Sequence, residues 1–229
     1  MDFSNERAYD KVIEYIQLEI RNGTLRRGER LPPERDLAEL LGISRNSVRE
    51  ALRTLSLMGF ISSVQGAGNY VTCALEKNLA TTLNMMLLLG ETNTSQLSQL
   101  RRGIESETAR LAARRILPSQ LEKLDALVRK MSDEPNAEKA LQYDQEFHHL
   151  LCIASGNKLI QSLFEAMISM INNFIRTMYI RIGEDVGQKQ ALHEVHVKLV
   201  DALRLRDEKA AMSAIFEHFE IVDEAINRT

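Results

Sequence analysis

Tryptophan is absent from this 229-residue chain, and cysteine occurs only twice, at Cys73 and Cys152. Two isolated thiols without a C-x-x-C spacing exclude a disulfide-stapled scaffold. They read as packing residues of a protein held in a reducing compartment. Long hydrophobic runs are missing too. Unbroken apolar stretches reach only five residues, as from Met85 to Leu89, far short of the roughly 20 that cross a bilayer. The N-terminal MDFSNERAYDKV carries an acid at its second position and no apolar core, so it does not read as a signal peptide. A soluble, cytoplasmic protein without membrane contact is the expectation. Neither sign of charge dominates: 29 Lys+Arg stand against 32 Asp+Glu, a net charge of −3. Any claim of nucleic-acid binding must therefore rest on where the charges sit. A hydrophobic share of 44% with 27% charged residues excludes a disordered chain or a collagen-like repeat. Histidine is scarce as well, and all five lie between residues 148 and 218.

What is present divides into two textures that meet near residues 74–80, giving expected domains at 1–75 and 76–229. Up to Thr72 there are ten basic and ten acidic residues. This part reads helix, turn, helix, helix, hairpin. Tyr9, Val12, Ile13, Ile16 and Ile20 keep helical spacing up to a stop near Gly23, and 22–33 reads as loop. Pro33 suits the first turn of a helix over 34–41, which Gly42 ends. Ser44 caps the next helix, with Val48, Ala51, Leu52 and Leu55 on its apolar face and Gly59 as its stop. Two β-prone runs, 60–64 and 69–72, flank Gln65-Gly66-Ala67-Gly68 and predict a hairpin. Beyond it the pattern predicts helices over 78–90, 94–116, 118–132, 136–155, 157–182, 187–206 and 207–227. Seven amphipathic helices on short loops predict an all-α bundle. The whole is mainly α, with one small β-hairpin.

Two short helices around Leu41-Gly42-Ile43-Ser44, followed by a hairpin, have the order of a winged helix-turn-helix. The second helix of such a unit enters the major groove. Its outward positions here are Arg45, Asn46, Ser47 and Arg49. Arginine pairs bidentately with guanine, and Asn46 suits adenine or a phosphate. Arg35, on the preceding helix, is placed for the DNA backbone. Glycines at Gln65-Gly66-Ala67-Gly68 allow a tight wing tip to approach a duplex. The competing reading of Arg45, Arg49 and Arg53 is an ordinary solvated helix face. Three segments favour the first reading: Leu31-Pro-Pro-Glu-Arg-Asp-Leu-Ala38, Ser44-Arg-Asn-Ser-Val-Arg-Glu-Ala-Leu52, and Gly59-Phe-Ile with Gly66-Ala-Gly-Asn-Tyr-Val71. Together they resemble the DNA-binding domain of GntR-family transcriptional regulators over nearly all of residues 7–72. The resemblance implies that Arg35, Arg45, Arg49 and Gly66 contact DNA, with Ser44, Asn46, Ser47 and Gln65 at the same surface. It further implies a homodimer on a palindromic, double-stranded operator.

In the second half, Asp144 and His148 stand four apart and share a helix face with Leu141, Phe147 and Leu151. His196 falls on the stripe Leu192, Leu199, Leu203, and His218 on the stripe Ala211, Ile215, Val222. One carboxylate and three imidazoles from three helices thus point to one interior. That set suits Zn²⁺, Ni²⁺, Mn²⁺ or a similar divalent ion with open positions. The competing reading is a set of separately satisfied core histidines. His149 and His193 sit off the inward faces and read as bystanders. His193-Glu-Val-His196 is not a zincin signature, because its histidines are three apart rather than four. Arg101 lies within the stripe Leu97, Leu100, Ile104, Leu111. A buried guanidinium needs a carboxylate, which could be a bound acid or Glu105 four residues on. Asn173 and Arg176 are weaker polar candidates.

Asp144-x3-His148, Ala154-Ser-Gly-Asn157, His196 and Asp207-x2-Ala-Ala-Met-x5-His218 resemble the FCD effector domain of the FadR subfamily over about 79–225. The presence of all four ligand positions resembles its metal-binding branch. The resemblance implies a divalent metal that helps to hold a small carboxylate effector; Arg101, which starts the family-like Arg101-x2-Ile104-Glu105, and the weaker candidate Asn173 are read as effector contacts. The expected function is operator binding controlled by that effector, not catalysis. The alternatives are a metal-dependent hydrolase tethered to a DNA-binding domain, and a constitutive architectural DNA binder.

Overall fold

The computed structural model describes residues 3–72, 75–90, 93–183 and 185–228; Cys73 lies outside them. The chain divides into two compact units, Met1–Thr81 and Thr82–Thr229. The boundary falls inside the helix Leu75–Leu88.

The first unit holds α1 (Phe3–Arg21), α2 (Glu34–Leu41), α3 (Arg45–Leu57), β1 (Ile61–Val64) and β2 (Gly68–Val71). Its core gathers Val12 and Ile16 of α1, Leu37 of α2, Val48, Leu52 and Leu55 of α3, and Ile61 and Val71 of the hairpin. Gly42, in the left-handed region at φ 61°, turns the chain between α2 and α3. The strands pair antiparallel from Ile61↔Val71 to Val64↔Gly68. One segment departs from the expected loop over 22–33. Gly28 N donates to Val71 O, Val71 N to Glu29 O, and Leu31 N to Asn69 O, each at 2.8 Å. The segment thus lies along the free edge of β2 like a short third strand, and covers an edge that would otherwise be open. Gly28, Glu29 and Arg30 hide the apolar alternation by which strands are read.

The second unit is all helix: the end of α4 (Leu75–Leu88), then α5 (Thr94–Arg115), α6 (Pro118–Asp133), α7 (Ala137–Ala154), α8 (Lys158–Gly183), α9 (Val186–Arg204) and α10 (Glu208–Asn227). Helix starts are written in polar caps. Asn93 and Gln96 form a reciprocal capping box on α5, while Asp185 and Asp207 each accept two backbone N–H bonds at the starts of α9 and α10. Pro118 opens α6, where its missing N–H costs nothing. Helix α5 packs against α7 and α10, α6 against α7 and α9, and α9 against α10. Phe147, Leu151, Leu199, Leu203, Ile215 and Phe219 are almost wholly buried where these helices meet. The functional side chains project into this same interior. Among the described residues no helix is long and apolar enough to cross a membrane.

Ser44 Oγ accepts a hydrogen bond from Ser47 N at 3.0 Å and so caps α3. Replacing it with alanine should lower the stability of the first unit by about 1 kcal/mol, whereas glycine should cost only roughly a few tenths. Urea titrations of the two variants check this; equal losses would contradict the cap.

Candidate functional site

On α3 the inward residues are Val48, Ala51, Leu52 and Leu55. That burial leaves Arg45, Asn46 and Arg49 exposed and Ser47 half-buried. Arg49 Nη2 donates to Asn46 Oδ1 at 3.0 Å, so the two polar tips form one surface. Ser44 Oγ lies 2.9 Å from Ser47 Oγ and is committed to the helix start. Arg35, 73% exposed in its side chain, meets only the neighbouring Asp36. At the hairpin tip Gln65 and Gly66 are exposed. Ala67 N donates to Val64 O at 3.0 Å, with Gly66 at φ 76° in the third turn position, which requires a positive φ. Gly68 is needed for a second reason: a Cβ there would come within 2.8 Å of Arg30 Nε. The structure therefore places the predicted DNA-facing residues at the outward face of α3, the exposed side of α2 and the wing tip.

In the second unit Asp144 and His148 of α7, His196 of α9 and His218 of α10 are all at least 96% buried. Ligand atoms of the three histidines lie within 4.8 Å of one another, and their ring centroids are 5.1–5.8 Å apart. Asp144 Oδ1 is 3.5 Å from His196 Nε2, and its Oδ2 is 3.8 Å from His148 Nε2. Asp144 Oδ1, His148 Nε2, His196 Nε2 and His218 Nδ1 are buried without a hydrogen bond. Buried polar atoms are rarely left so. An N₃O donor set whose lone pairs converge without partners fits a divalent cation. The side chains read as ligands from the sequence are brought together.

Burial holds the imidazoles of His196 and His218 neutral. It pulls His196 down to about 4, against the opposing pull of the Asp144 charge. Burial, followed by His196 and His148, keeps His218 well below its ordinary value. Neutral imidazole is the metal-binding form. Burial also pushes the Cys152 thiol up to about 12, so Cys152 is a packing residue and not a nucleophile.

Arg101 is buried, with its guanidinium 5.1 Å from the Phe174 ring and 5.3 Å from the Phe219 ring. Its Nε donates to Glu105 Oε1 at 2.8 Å. Glu105 Oε2 lies 2.7 Å from His148 Nδ1, which leaves Nε2 of that histidine for a metal. Burial would raise the Glu105 carboxyl, but Arg101 and His148 outweigh it and hold the group at about 2. The sequence reading saw Glu105 only as a partner for Arg101; the link to His148 joins two helices and has no signature in spacing. Asn173 is exposed and is not brought to the cluster. Arg176 forms a two-pronged pair with Glu138 at 2.9 and 2.7 Å. His149 turns outward to Glu165.

Around the ligands the interior is partitioned. A chamber of about 20 Å³ touches Arg101, Asp144, His148 and His218. A cavity of about 240 Å³ also reaches Asp144 and His196. Tyr179 lines both, and a third cavity of about 350 Å³ beside Arg176. Sequence spacing gives no sign of Tyr179.

The depressed histidines set an acid limit on the metal-free protein. Unfolded chains take up protons below about pH 6.5, whereas folded His196 resists until about 4. Falling pH therefore favours unfolding across that window. Glu105, ionised in the fold down to about 2, adds a further loss below its ordinary value of 4.5. The melting temperature of chelator-treated protein should be flat above pH 7 and fall steadily between pH 6.5 and 4. A melting temperature constant down to pH 4.5 would contradict the buried neutral cluster.

Comparison with known proteins agrees with both halves. Residues 8–71 match the bacterial regulatory proteins of the gntR family, and residues 96–221 match the FCD domain. The chain is 30% identical over 210 residues to the HTH-type transcriptional regulator LutR of Bacillus subtilis, spanning 91% of this chain and 96% of that one. It is likewise 30% identical over 224 residues to the Glc operon transcriptional activator of Escherichia coli, spanning 92% and 85%. The solved structure of Streptococcus agalactiae GntR matches at a TM-score of 0.64 and 30% identity, over 96% of this chain and 99% of that one. The chain belongs to the GntR family of bacterial transcriptional regulators, joining a DNA-binding winged helix-turn-helix to an FCD effector domain.

Proposed function

We propose that this regulator binds its operator under the control of a small carboxylate effector held at a divalent metal ion. The observation that carries the reading is the convergence of four buried, unpartnered ligand atoms from Asp144, His148, His196 and His218. Such a cluster is costly to bury empty, and a cation removes that cost. The metal is Zn²⁺, Ni²⁺ or Mn²⁺ by donor type. When bound, it supplies positive charge with open positions for carboxylate oxygens. The chain's own residues do the rest. The Glu105 carboxylate, 2.7 Å from His148 Nδ1, accepts from that N–H and fixes the ring's orientation. Phe147, packed edge-on to His148 and His196, keeps water from the ligands.

At the DNA end, Arg45 and Arg49 read base edges, with Asn46 and Ser47 beside them. Arg35 meets phosphate, and Gln65 and Gly66 bring the wing to the duplex. Ser44 contributes through the start of α3. The assembly is a homodimer of the FadR subfamily type on a palindromic operator. Effector binding favours one arrangement of the helices, and the segment near 73–80 passes it to the winged unit. Such control requires the effector to bind the two arrangements unequally, and DNA must then shift effector affinity by the same factor.

Elemental analysis of purified protein should find about one divalent ion per chain, lost in a His148→Ala, His196→Ala double variant. Glu105→Gln should lower metal affinity about ten- to a hundredfold. Metal content equal to wild type in the double variant overturns the site. Operator binding followed by fluorescence anisotropy should weaken by about 1–3 kcal/mol in Arg45→Ala or Arg49→Ala if each reads a base. The slope of log K against log salt should be clearly negative, by about 0.9 per phosphate neutralised. A Kd for DNA that stays constant while a carboxylate saturates the metal-loaded protein overturns the effector reading.

A further inference from the structure

Lys189, His193 and His196 stand four and then three residues apart on α9, so they share one helix face. All three line the 240 Å³ cavity, which also reaches Asp144 and Tyr179. Burial rises along the row: Lys189 is exposed, His193 half-buried and His196 buried. The row leads from solvent to the ligand cluster.

The inner chamber offers an effector little. At about 20 Å³ it holds one water or one ion, not an acid. Arg101, on its wall, is already bound to Glu105. The outer cavity is some twelve times larger and touches two of the metal ligands. The basic groups near it are also unequal. Arg176 is taken by Glu138. The Lys189 ammonium has no ion pair or hydrogen bond among the described residues, and it borders both outer cavities. An unpaired ammonium at the mouth of a cavity floored by a metal site leaves one anionic position open. An acid bound to the metal through one carboxylate fills that position only if it carries a second.

We propose that the cavity that α9 lines together with α6, α7 and α8 takes a short dianionic acid, one carboxylate toward the metal at Asp144 and His196 and the other on Lys189, with His193 as a hydrogen-bonding wall. Lys189 and His196 are separated by about 10 Å along the helix axis, which suits an acid of about four to six carbons. Lys189 is thus the residue that selects among carboxylates. The inference rests on the metal-centred effector reading above.

Two matched pairs of 2-hydroxy acids test it: L-malate against 2-hydroxybutanoate, and 2-hydroxyglutarate against 2-hydroxypentanoate. Within a pair only the terminal carboxylate is exchanged for methyl. Calorimetric titration uses full-length, metal-loaded protein, in variants whose metal content matches wild type. In at least one pair the dianion should bind about tenfold tighter or better, the effect of one charge-assisted hydrogen bond. Lys189→Ala should bring the two acids of that pair to within about threefold, and Lys189→Arg should keep most of the preference. Equal binding of both acids to wild type overturns the dianion proposal alone, leaving the metal reading in place. A preference that persists in Lys189→Ala overturns the role of Lys189. If the protein retains metal but binds no member of either pair, and no other carboxylate up to six carbons, the effector reading falls and takes this inference with it.

Discussion

The interior of the helical unit depends on one carboxylate. Glu105 joins Arg101 through one oxygen and His148 through the other, in a place where Arg101, Glu105 and His148 are all about 98% buried. A guanidinium there without a counter-charge is among the costliest objects a protein core can hold, and removing one member of a buried pair usually costs several kcal/mol. Glu105 offsets that cost and at the same time orients an imidazole. Its position therefore sets what the site can be. The cation of Arg101 and the imidazole of His148 flank the two oxygens of one carboxylate, at 2.8 and 2.7 Å, so a change at either end is felt at the other.

Aromatic packing makes that chain effective. Phe174 and Phe219 stand beside the guanidinium, and Phe147 and Phe219 border the imidazoles. Water is kept away, which strengthens each polar contact and holds His196 and His218 in the neutral form that a cation needs. The same packing leaves the inner chamber too small for an organic ligand. In the proposed function, recognition of a larger molecule falls to the 240 Å³ cavity that reaches Asp144 and His196.

Much of this was legible in the sequence, for local reasons. Helix ends were found to within a few residues because their causes are local: Ser44, Pro118, Asp207 and Gly156 each act on their own turn. The cluster of Asp144, His148, His196 and His218 was legible because each ligand lies on an apolar stripe, and a stripe states its own inward direction. Asn173 shows the limit of that method. A one-residue step turns a helix by about 100°, and it is Asn172, not Asn173, that lies half-buried. Contacts between helices left no trace in spacing. The bond between Glu105 and His148 and the partition by Tyr179 arise only once α5, α7 and α8 are packed. The strand-like segment along β2 was hidden for a different reason, since backbone pairing alone holds it.

The two units solve opposite electrostatic problems. The helical unit hides charge and must neutralise it residue by residue. The winged unit displays charge, yet its ten basic and ten acidic residues up to Thr72 cancel in number. In the proposed function, attraction to DNA comes from the short-range placement of Arg35, Arg45 and Arg49 rather than from the unit's net field. The bond from Arg49 to Asn46 restrains a side chain that would otherwise lose about 2 kcal/mol of rotamer entropy on docking. Weak non-specific binding together with a preset recognition surface favours discrimination between sequences over raw affinity. A regulator of this kind is well suited to switching, because a modest reorientation of the reading helices removes contacts that no general attraction replaces.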